Sequence, residues 1–365
     1  MSDESKALGE IRDRIDSIDQ QIQTLINQRA QCAKDVADVK LRAKKSDDAI
    51  FYRPEREAQV LRNVMERNQG PLGDEEMARL FREIMSACLA LEKPMHIAYL
   101  GPQGTFTQAA ALKHFGHSVI SVPQMAIDEV FRDVEARESH YGVVPVENST
   151  EGMINHTLDM FVSSPLRICG EVKLRIHHHL LAAGDTDLSK VEKIYSHQQS
   201  LAQCRRWLDS NWGKVERVAV SSNAEAARRV KAEPNSAAIA GDMAAELYGL
   251  VNIAKNIEDQ PDNTTRFLIV GREDVPPSGD DKTSILVSMK NCPGALYHLL
   301  EPFHKHGISL TRIETRPSTS DTWAYVFYID FEGHYTDENV QAVIKEISKE
   351  AVEIKHLGSY PVGVL

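Results

Sequence analysis

The cations Arg12, Arg29 and Lys40 stand on a stretch, Lys6 to Lys45, that holds no proline and a single glycine, Gly9. Ile11, Ile15, Ile18, Ile22, Leu25 and Ile26 recur along it at helical spacing, which predicts one long amphipathic helix. At 1.5 Å per residue, Arg12 and Arg29 lie about 25 Å apart along the axis. No small molecule spans that distance, so both serve one ligand only if they come from different chains, and the active site is then shared within an oligomer. Arg29 and Lys40 are close to three turns apart, on one face and separated by about 16 Å. A dianionic metabolite fits between them, with a second chain's Arg12 closing the site. The competing reading is that all three are solvated cations on an acidic protein.

Further along, polar clusters leave or enter apolar runs. Gly101-Pro102-Gln103-Gly104-Thr105-Phe106 follows a strand pattern and opens a helix, where backbone N–H groups favour an anion, although a plain tight turn explains it equally well. Pro145-Val146-Glu147-Asn148-Ser149-Thr150 sets polar groups directly after an apolar strand; a turn closed by Asx hydrogen bonds is the alternative. Ser196-His197-Gln198-Gln199 leaves a strand and enters a helix bearing Gln203, with Ser196 either a site residue or an N-cap. Asn263-Thr264-Thr265-Arg266-Phe267 puts a hydroxyl beside a guanidinium, a proton donor near a carboxylate clamp, or else ordinary polarity at a strand entry. His177-His178-His179 invites a metal reading. Consecutive side chains of a strand alternate faces, so the three cannot chelate one ion, and no metal site is expected. Trp207 and Trp212 read as packing or surface residues.

Three segments must position these groups. Residues 1–93 are expected to be helical throughout: the long helix, a second starting near Arg53-Pro54-Glu55-Arg56-Glu57, and, after the Gly70-Pro71 stop, a third capped by Asp74 with an apolar face of Met77, Leu80, Phe81, Ile84, Met85, Cys88 and Leu89. Three helices of this size bury too little alone, a second pointer to dimerisation. From residue 94 to 272, short β-rich runs (His96–Leu100, Val119–Val122, Tyr141–Val146, Lys193–Tyr195, Val218–Val220, Ala237–Ala240, Phe267–Val270) alternate with helical stretches such as Thr105–Phe115, Leu201–Leu208 and Ala224–Lys231. That predicts an α/β unit, largely parallel, long enough for two lobes, with ligands at the carboxyl ends of strands. After a Pro/Gly-rich linker, residues 282–365 read βαββαβ, the ferredoxin-like α+β order, with strands Thr283–Met289, Ser309–Glu314, Trp323–Phe331 and Val352–Leu357.

Net charge is −11 and no basic tract occurs, which argues against a nucleic-acid partner. Five scattered cysteines, odd in number and without Cys-x-x-Cys spacing, fit a reducing cytoplasm better than a zinc site or a disulfide frame. No apolar run of membrane-spanning length is present, and none follows Met1-Ser2-Asp3 to make a signal peptide, so a cytoplasmic chain is expected.

Four segments of the middle unit, Gly101–Ala110, Gly142–Ile154, Ser196–Cys204 and Asn263–Phe267, together resemble prephenate dehydratase. Gly294-Ala295-Leu296 and Glu314-Thr315-Arg316-Pro317 resemble the phenylalanine-binding ACT domain of those enzymes, with Thr315 where the family usually has Ser. The N-terminal helices resemble the all-helical chorismate mutase, an intertwined dimer. In this order the three cover nearly the whole chain and resemble the bifunctional P-protein family. The resemblance implies a two-lobed dehydratase fold like that of type II periplasmic binding proteins, no cofactor, and a homodimer or tetramer.

For the mutase, the resemblance implies a pericyclic rearrangement of chorismate to prephenate, catalysed by positioning and electrostatics. Arg12 of a second chain and Arg29 clamp the two carboxylates, Lys40 donates to the ether oxygen, and Arg56 and Glu57 match the family's Arg-Glu pair, with Glu57 accepting from the substrate hydroxyl. Cys88 and Glu92 depart from the Ser and Gln of one version of the motif. A carboxylate cannot donate to an ether oxygen, so Glu92 works only when protonated; otherwise it points away and Lys40 works alone. For the dehydratase, Thr265 is the catalytic hydroxyl. Glu147, Asn148, Ser149, Ser196, Gln199 and Gln203 hold prephenate, while Arg266 and the Gly104-Thr105 backbone meet its carboxylates. Arogenate, with an amine for the keto group, is the alternative substrate. Phenylalanine is the effector at Gly294, Ala295, Leu296, Glu314, Thr315, Arg316 and Pro317. A rival class, a phenylalanine sensor or solute-binding protein, suits two lobes but leaves Thr265 without a purpose.

Overall fold

The computed structural model describes residues 3–43, 52–317 and 325–365. Helix α1 (Asp3–Ala43) runs unbroken, as its lack of proline dictates; Lys44 and Lys45 lie outside the described residues. Helix α2 (Pro54–Arg67) has Pro54 at its first position, where a missing N–H is harmless. Helix α3 (Asp74–Glu92) is capped by Gly73, not by Asp74. Asp74 sits in the first turn, and its Oδ1 accepts from Asn68 Nδ2 at 2.8 Å, which occupies the oxygen a cap would use.

The middle unit comprises β1 (His96–Leu100), α4 (Phe106–Phe115), β2 (Ile120–Gln124), α5 (Ile127–Glu135), β3 (Tyr141–Asn148), β4 (Gly152–Met153), α6 (Asn155–Ser163) and β5 (Arg167–Arg175). It continues with β6 (His179–Ala182), β7 (Lys193–His197), α7 (Gln198–Gln203), α8 (Arg205–Asn211), β8 (Glu216–Val220), α9 (Asn223–Ala232), β9 (Ser236–Ala240), α10 (Asp242–Tyr248), β10 (Val251–Ala254) and β11 (Thr264–Gly271). These strands form two sheets, ordered β2-β1-β3-β11-β5 with β4 beside β3, and β10-β6-β9-β7-β8, so the two-lobed expectation holds. Strands β4, β5, β6 and β10 went unrecognised in the sequence. In β5 the polar Glu171 interrupts the apolar pattern, and it is buried because it is paired. The helix expected over Leu201–Leu208 is broken at Cys204 into α7 and α8.

The chain crosses between lobes twice, after β5 and after β10. Glu258 ties these crossovers together: its Oε1 meets His177 Nδ1 at 2.8 Å and its Oε2 accepts from the His178 N–H at 2.9 Å. Burial would raise the Glu258 carboxyl, but these hydrogen bonds hold it below its ordinary value. The histidine run therefore belongs to the hinge, and only His179 lies in a strand.

The C-terminal unit is β12 (Asp281–Met289), α11 (Ala295–Lys305), β13 (Leu310–Pro317), β14 (Tyr325–Glu332), α12 (Glu338–Ile347) and β15 (Ala351–Pro361), an antiparallel sheet ordered β13-β14-β12-β15 as the βαββαβ pattern requires. The expected strand start at Trp323 lies outside the described residues. Gly294 opens α11 at φ +86°, a left-handed conformation that glycine adopts without penalty. The unit does not hang free. Leu286, Val326, Tyr328, Leu357 and Tyr360 share one buried core with Val144, Val146, Leu158, Phe161 and Leu268 of the first lobe.

Candidate active sites

The helical unit forms an open pocket whose lining includes Arg29, Lys40, Arg56, Glu57, Cys88 and Glu92. The helical spacing of α1 and the apolar faces of α2 and α3 bring these residues together from three separate helices. Arg12 does not line it; it lies exposed on the N-terminal half of α1. Glu92 Oε2 is 3.7 Å from Lys40 Nζ, and this oxygen is buried with no hydrogen-bond partner among the described residues. Burial raises its pKa, against the pull of Lys40 and Arg29. Glu57 is pushed up to about 7, because burial outweighs the opposing charge of Arg82. Arg82, absent from the expected site, lies 3.4 Å from Glu57 and donates to the Lys113 carbonyl of α4 at 2.8 Å. Arg53 adds a further cation to the lining, and its own signal was hidden by the neighbouring Arg56-Glu57 match.

The second site is a cleft between the lobes. Gly104, Thr105, Asn148, Gln199, Gln203 and Thr265 all line it. Asn148 Oδ1 accepts from the N–H groups of Thr150 (3.0 Å) and Glu151 (3.1 Å), which turns its Nδ2 toward Thr265 Oγ1 and Asn263 Oδ1, each at 2.8 Å. Asn263 Nδ2 donates to Gln203 Oε1 at 3.1 Å, and His178 Nε2 donates to the same oxygen at 2.9 Å. Burial pushes the His178 imidazole down and keeps it neutral, so its Nδ1 is a bare acceptor, buried and without a partner. His178 was read from sequence as structural; its cleft-facing position depends on the hinge, which no local pattern reveals.

Ser196 lies within β7, one residue before its end, and the helix that follows is capped by His197. Its single hydroxyl proton is shared between Ile239 O and Asn223 Oδ1, each 2.9 Å away; fully buried, Ser196 does not line the cleft itself and reaches it only through Asn223, which does. Gln199 and Gln203 are engaged across the cleft by Glu151, whose Oε2 accepts from Gln199 at 2.7 Å and Oε1 from Gln203 at 3.2 Å. No lysine or arginine is among the described residues that line the cleft; positive potential comes instead from the N-termini of α4 and α9, capped by Thr105 and Ser222.

Three expected contacts are corrected. Arg266 does not meet the cleft. Its guanidinium is buried on the opposite face of β11, donating to Glu171 Oε2 and Asp330 Oδ2, both at 2.7 Å, and to Tyr360 Oη at 3.0 Å. Glu147 likewise faces the C-terminal unit and is bound by Arg312. Both follow from strand alternation, since each is adjacent in sequence to a cleft-facing residue. The Ser149 hydroxyl accepts from the Thr264 N–H at 2.9 Å and closes the β3–β11 end outside the cleft lining.

In the C-terminal unit, Gly294, Ala295 and Leu296 open α11, and Glu314, Thr315, Arg316 and Pro317 end the edge strand β13. Arg316 is drawn back onto the first lobe by Asp159 at 3.1 Å.

The chain matches three family models: Chorismate mutase type II over residues 11–93, Prephenate dehydratase over 97–275 and ACT domain over 283–349. It is 64% identical over 363 residues to a bifunctional chorismate mutase/prephenate dehydratase of Stutzerimonas stutzeri, covering 99% of this chain and 100% of the relative. The corresponding protein of Pseudomonas aeruginosa is 63% identical over 364 residues, covering 100% and 99%. A solved prephenate dehydratase from Arthrobacter aurescens, in complex with L-Phe, matches with a TM-score of 0.67 and 35% identity over 73% of this chain and 89% of that one. The chain belongs to the family of bifunctional chorismate mutase/prephenate dehydratases that carry an ACT domain.

Proposed function

We propose that the helical pocket rearranges chorismate to prephenate, that the interlobe cleft converts prephenate to phenylpyruvate, and that phenylalanine controls the second step through the ACT domain. The observation that carries the dehydratase assignment is the Asn148–Thr265 hydrogen bond. Because Thr265 Oγ1 accepts from Asn148 Nδ2 at 2.8 Å, the Thr265 proton is left to point at a ligand. In the reaction the bond from the ring to its carboxylate breaks, carbon dioxide leaves, and the electron pair enters the ring as it becomes aromatic. The ring hydroxyl departs at the same time and must take up a proton to leave as water. Thr265 is a weak acid, so it serves as a positioned hydrogen bond or proton relay to that hydroxyl. The helix N-termini of α4 and α9 meet the carboxylates, since no arginine is among the described residues that line the cleft.

In the helical pocket no nucleophile is required. Arg29 holds one carboxylate, and Lys40 and Glu92 face the ether oxygen, where charge develops as the C–O bond breaks. Arg12 belongs to a second copy. Ile11, Ile15, Ile18, Ile22 and Leu25 are 44–63% exposed on the half of α1 that carries it, an apolar stripe too long to stay in water, which supports an intertwined dimer. No helix among the described residues is long and apolar enough to cross a membrane, and the site chemistry fits a cytoplasmic biosynthetic enzyme.

The test is Thr265→Val in the full chain. Chorismate consumption continues at the wild-type rate and prephenate accumulates, while phenylpyruvate is not formed. Phenylpyruvate formed at an undiminished rate would refute the assignment.

A further inference from the structure

Two neighbouring strands carry chemistry on one face and the ACT domain on the other. In the β3–β11 register Thr265 stands opposite Asn148 and Arg266 opposite Glu147. Side chains alternate along a strand, so the first pair faces the cleft and the second faces away. The register slips immediately after Arg266, a bulge that fixes where the paired element ends. On the cleft face is the 2.8 Å Asn148–Thr265 bond. On the reverse face lies a continuous ion network: Glu147 to Arg312, Arg312 Nε 3.6 Å from Asp330, Asp330 to Arg266 at 2.7 Å, Arg266 to Glu171 at 2.7 Å, and Glu171 to Lys282 at 2.6 Å. Arg312, Asp330 and Lys282 belong to the ACT domain.

The network is built rather than incidental. Arg266, Glu171 and Asp330 are each 9% exposed or less; Ser284 Oγ donates to Asp330 Oδ1 and Tyr360 Oη accepts from Arg266 Nη2, while Arg312 Nε is held by charge alone, buried and without a hydrogen bond among the described residues. Breaking one member leaves a charge buried and unpaired, so the members move together. Arg312 is also on β13, the strand that ends in Glu314-Thr315-Arg316-Pro317, and Arg316 on the same face grips Asp159. Anything that shifts β13 pulls on Glu147, whose backbone is continuous with Asn148. Geometry at a reacting centre tolerates displacements of only about 0.5 Å.

We propose that Glu147 and Arg266 are positioning residues for Asn148 and Thr265, held from behind by Arg312 and Asp330, and that phenylalanine control of dehydration passes through this two-strand element. The inference rests on reading the cleft as the dehydratase site and the ACT domain as the phenylalanine site. Phenylalanine need not reach the cleft; it needs only to favour one placement of β13 over another.

The experiment uses the full chain with Arg312→Ala, Arg312→Lys, Glu147→Gln and the Arg312→Ala/Glu147→Gln double variant. For Arg312→Ala, kcat for phenylpyruvate formation falls about tenfold or more while KM for prephenate stays within about twofold, the signature of a misplaced reacting group. Phenylalanine still binds by equilibrium dialysis, yet changes the residual rate less than twofold. Chorismate turnover is unchanged. Arg312→Lys, which keeps the charge, restores most of kcat, and the double variant is no worse than the weaker single one. Asp330→Asn, close to isosteric, gives the same kcat loss and stands in if Arg312→Ala does not fold. Wild-type kcat with full phenylalanine inhibition in Arg312→Ala overturns the inference, as do additive losses without rescue by lysine. The underlying readings fail separately: phenylalanine that does not bind the wild-type chain removes the effector reading, and an active Thr265→Val removes the dehydratase reading.

Discussion

Glu92→Gln tests whether the mutase pocket depends on a proton that its own structure makes hard to lose. An ether oxygen only accepts hydrogen bonds, so of the two forms of Glu92 only the protonated one assists bond breaking. Burial raises the Glu92 pKa, although Lys40 and Arg29 oppose it. The wild-type rate of chorismate loss, as kcat/KM, therefore falls as pH rises through that raised value, up to tenfold per pH unit. The ionised form does further harm. At 3.7 Å, and with an effective dielectric near 20, its attraction for Lys40 is about 4 kcal/mol before solvation costs, enough to draw the ammonium off the ether oxygen. Removing one such donor from a developing oxyanion costs about 10²–10³ in rate, which sets the depth of the alkaline limb. An amide donates at every pH, so Glu92→Gln flattens that limb and equals or exceeds the wild type in alkaline buffer. Ultraviolet assay of chorismate loss across pH, with Glu57→Gln run in parallel, separates the two titrating carboxyls. A limb that persists in Glu92→Gln and disappears in Glu57→Gln would refute the reasoning, as would a flat wild-type profile.

Glu57 also leaves a mark on stability. Its folded pKa of about 7 lies above the ordinary carboxyl value, so its contribution is full below that ordinary value and is lost as pH rises through 7. The span is on the order of 3 kcal/mol, and Glu57→Gln should remove most of this pH dependence from the helical transition followed by circular dichroism. Glu151 places a carboxylate in a cleft meant for an anion and occupies the amides of Gln199 and Gln203. Glu151→Ala frees both, and KM for prephenate drops about threefold to tenfold, the value of one or two modest hydrogen bonds. A KM that rises instead means that Glu151 helps to seat the substrate.

The elements were legible in the sequence wherever one local rule governed them. The unbroken α1, the proline-led α2 and the βαββαβ order of the ACT domain each needed only periodicity and punctuation. So did the common face of Arg29 and Lys40, because helix geometry fixes which residues of α1 line up, whereas Glu92, on α3, joined them only through the resemblance to chorismate mutase. What escaped was tertiary. Glu258 reaches His177 and His178 from the other crossover, and Arg82 reaches Lys113 from another domain, so no window of sequence contains either contact. Arg266 and Glu147 are the instructive errors. Strand alternation forbids Thr265 and Arg266, or Asn148 and Glu147, from sharing one ligand, provided both segments are strands. Read as polar residues just after one strand and at the entry of another, they fall outside any run in which alternation shows. Once β3 and β11 are seen to extend through Asn148 and from Thr264, a charged residue next to each cleft residue has to be buried on the far side, and a buried charge requires a partner. The partners are Arg312 and Asp330. The two charges misassigned to the substrate are therefore where the regulatory domain takes hold of the catalytic strands.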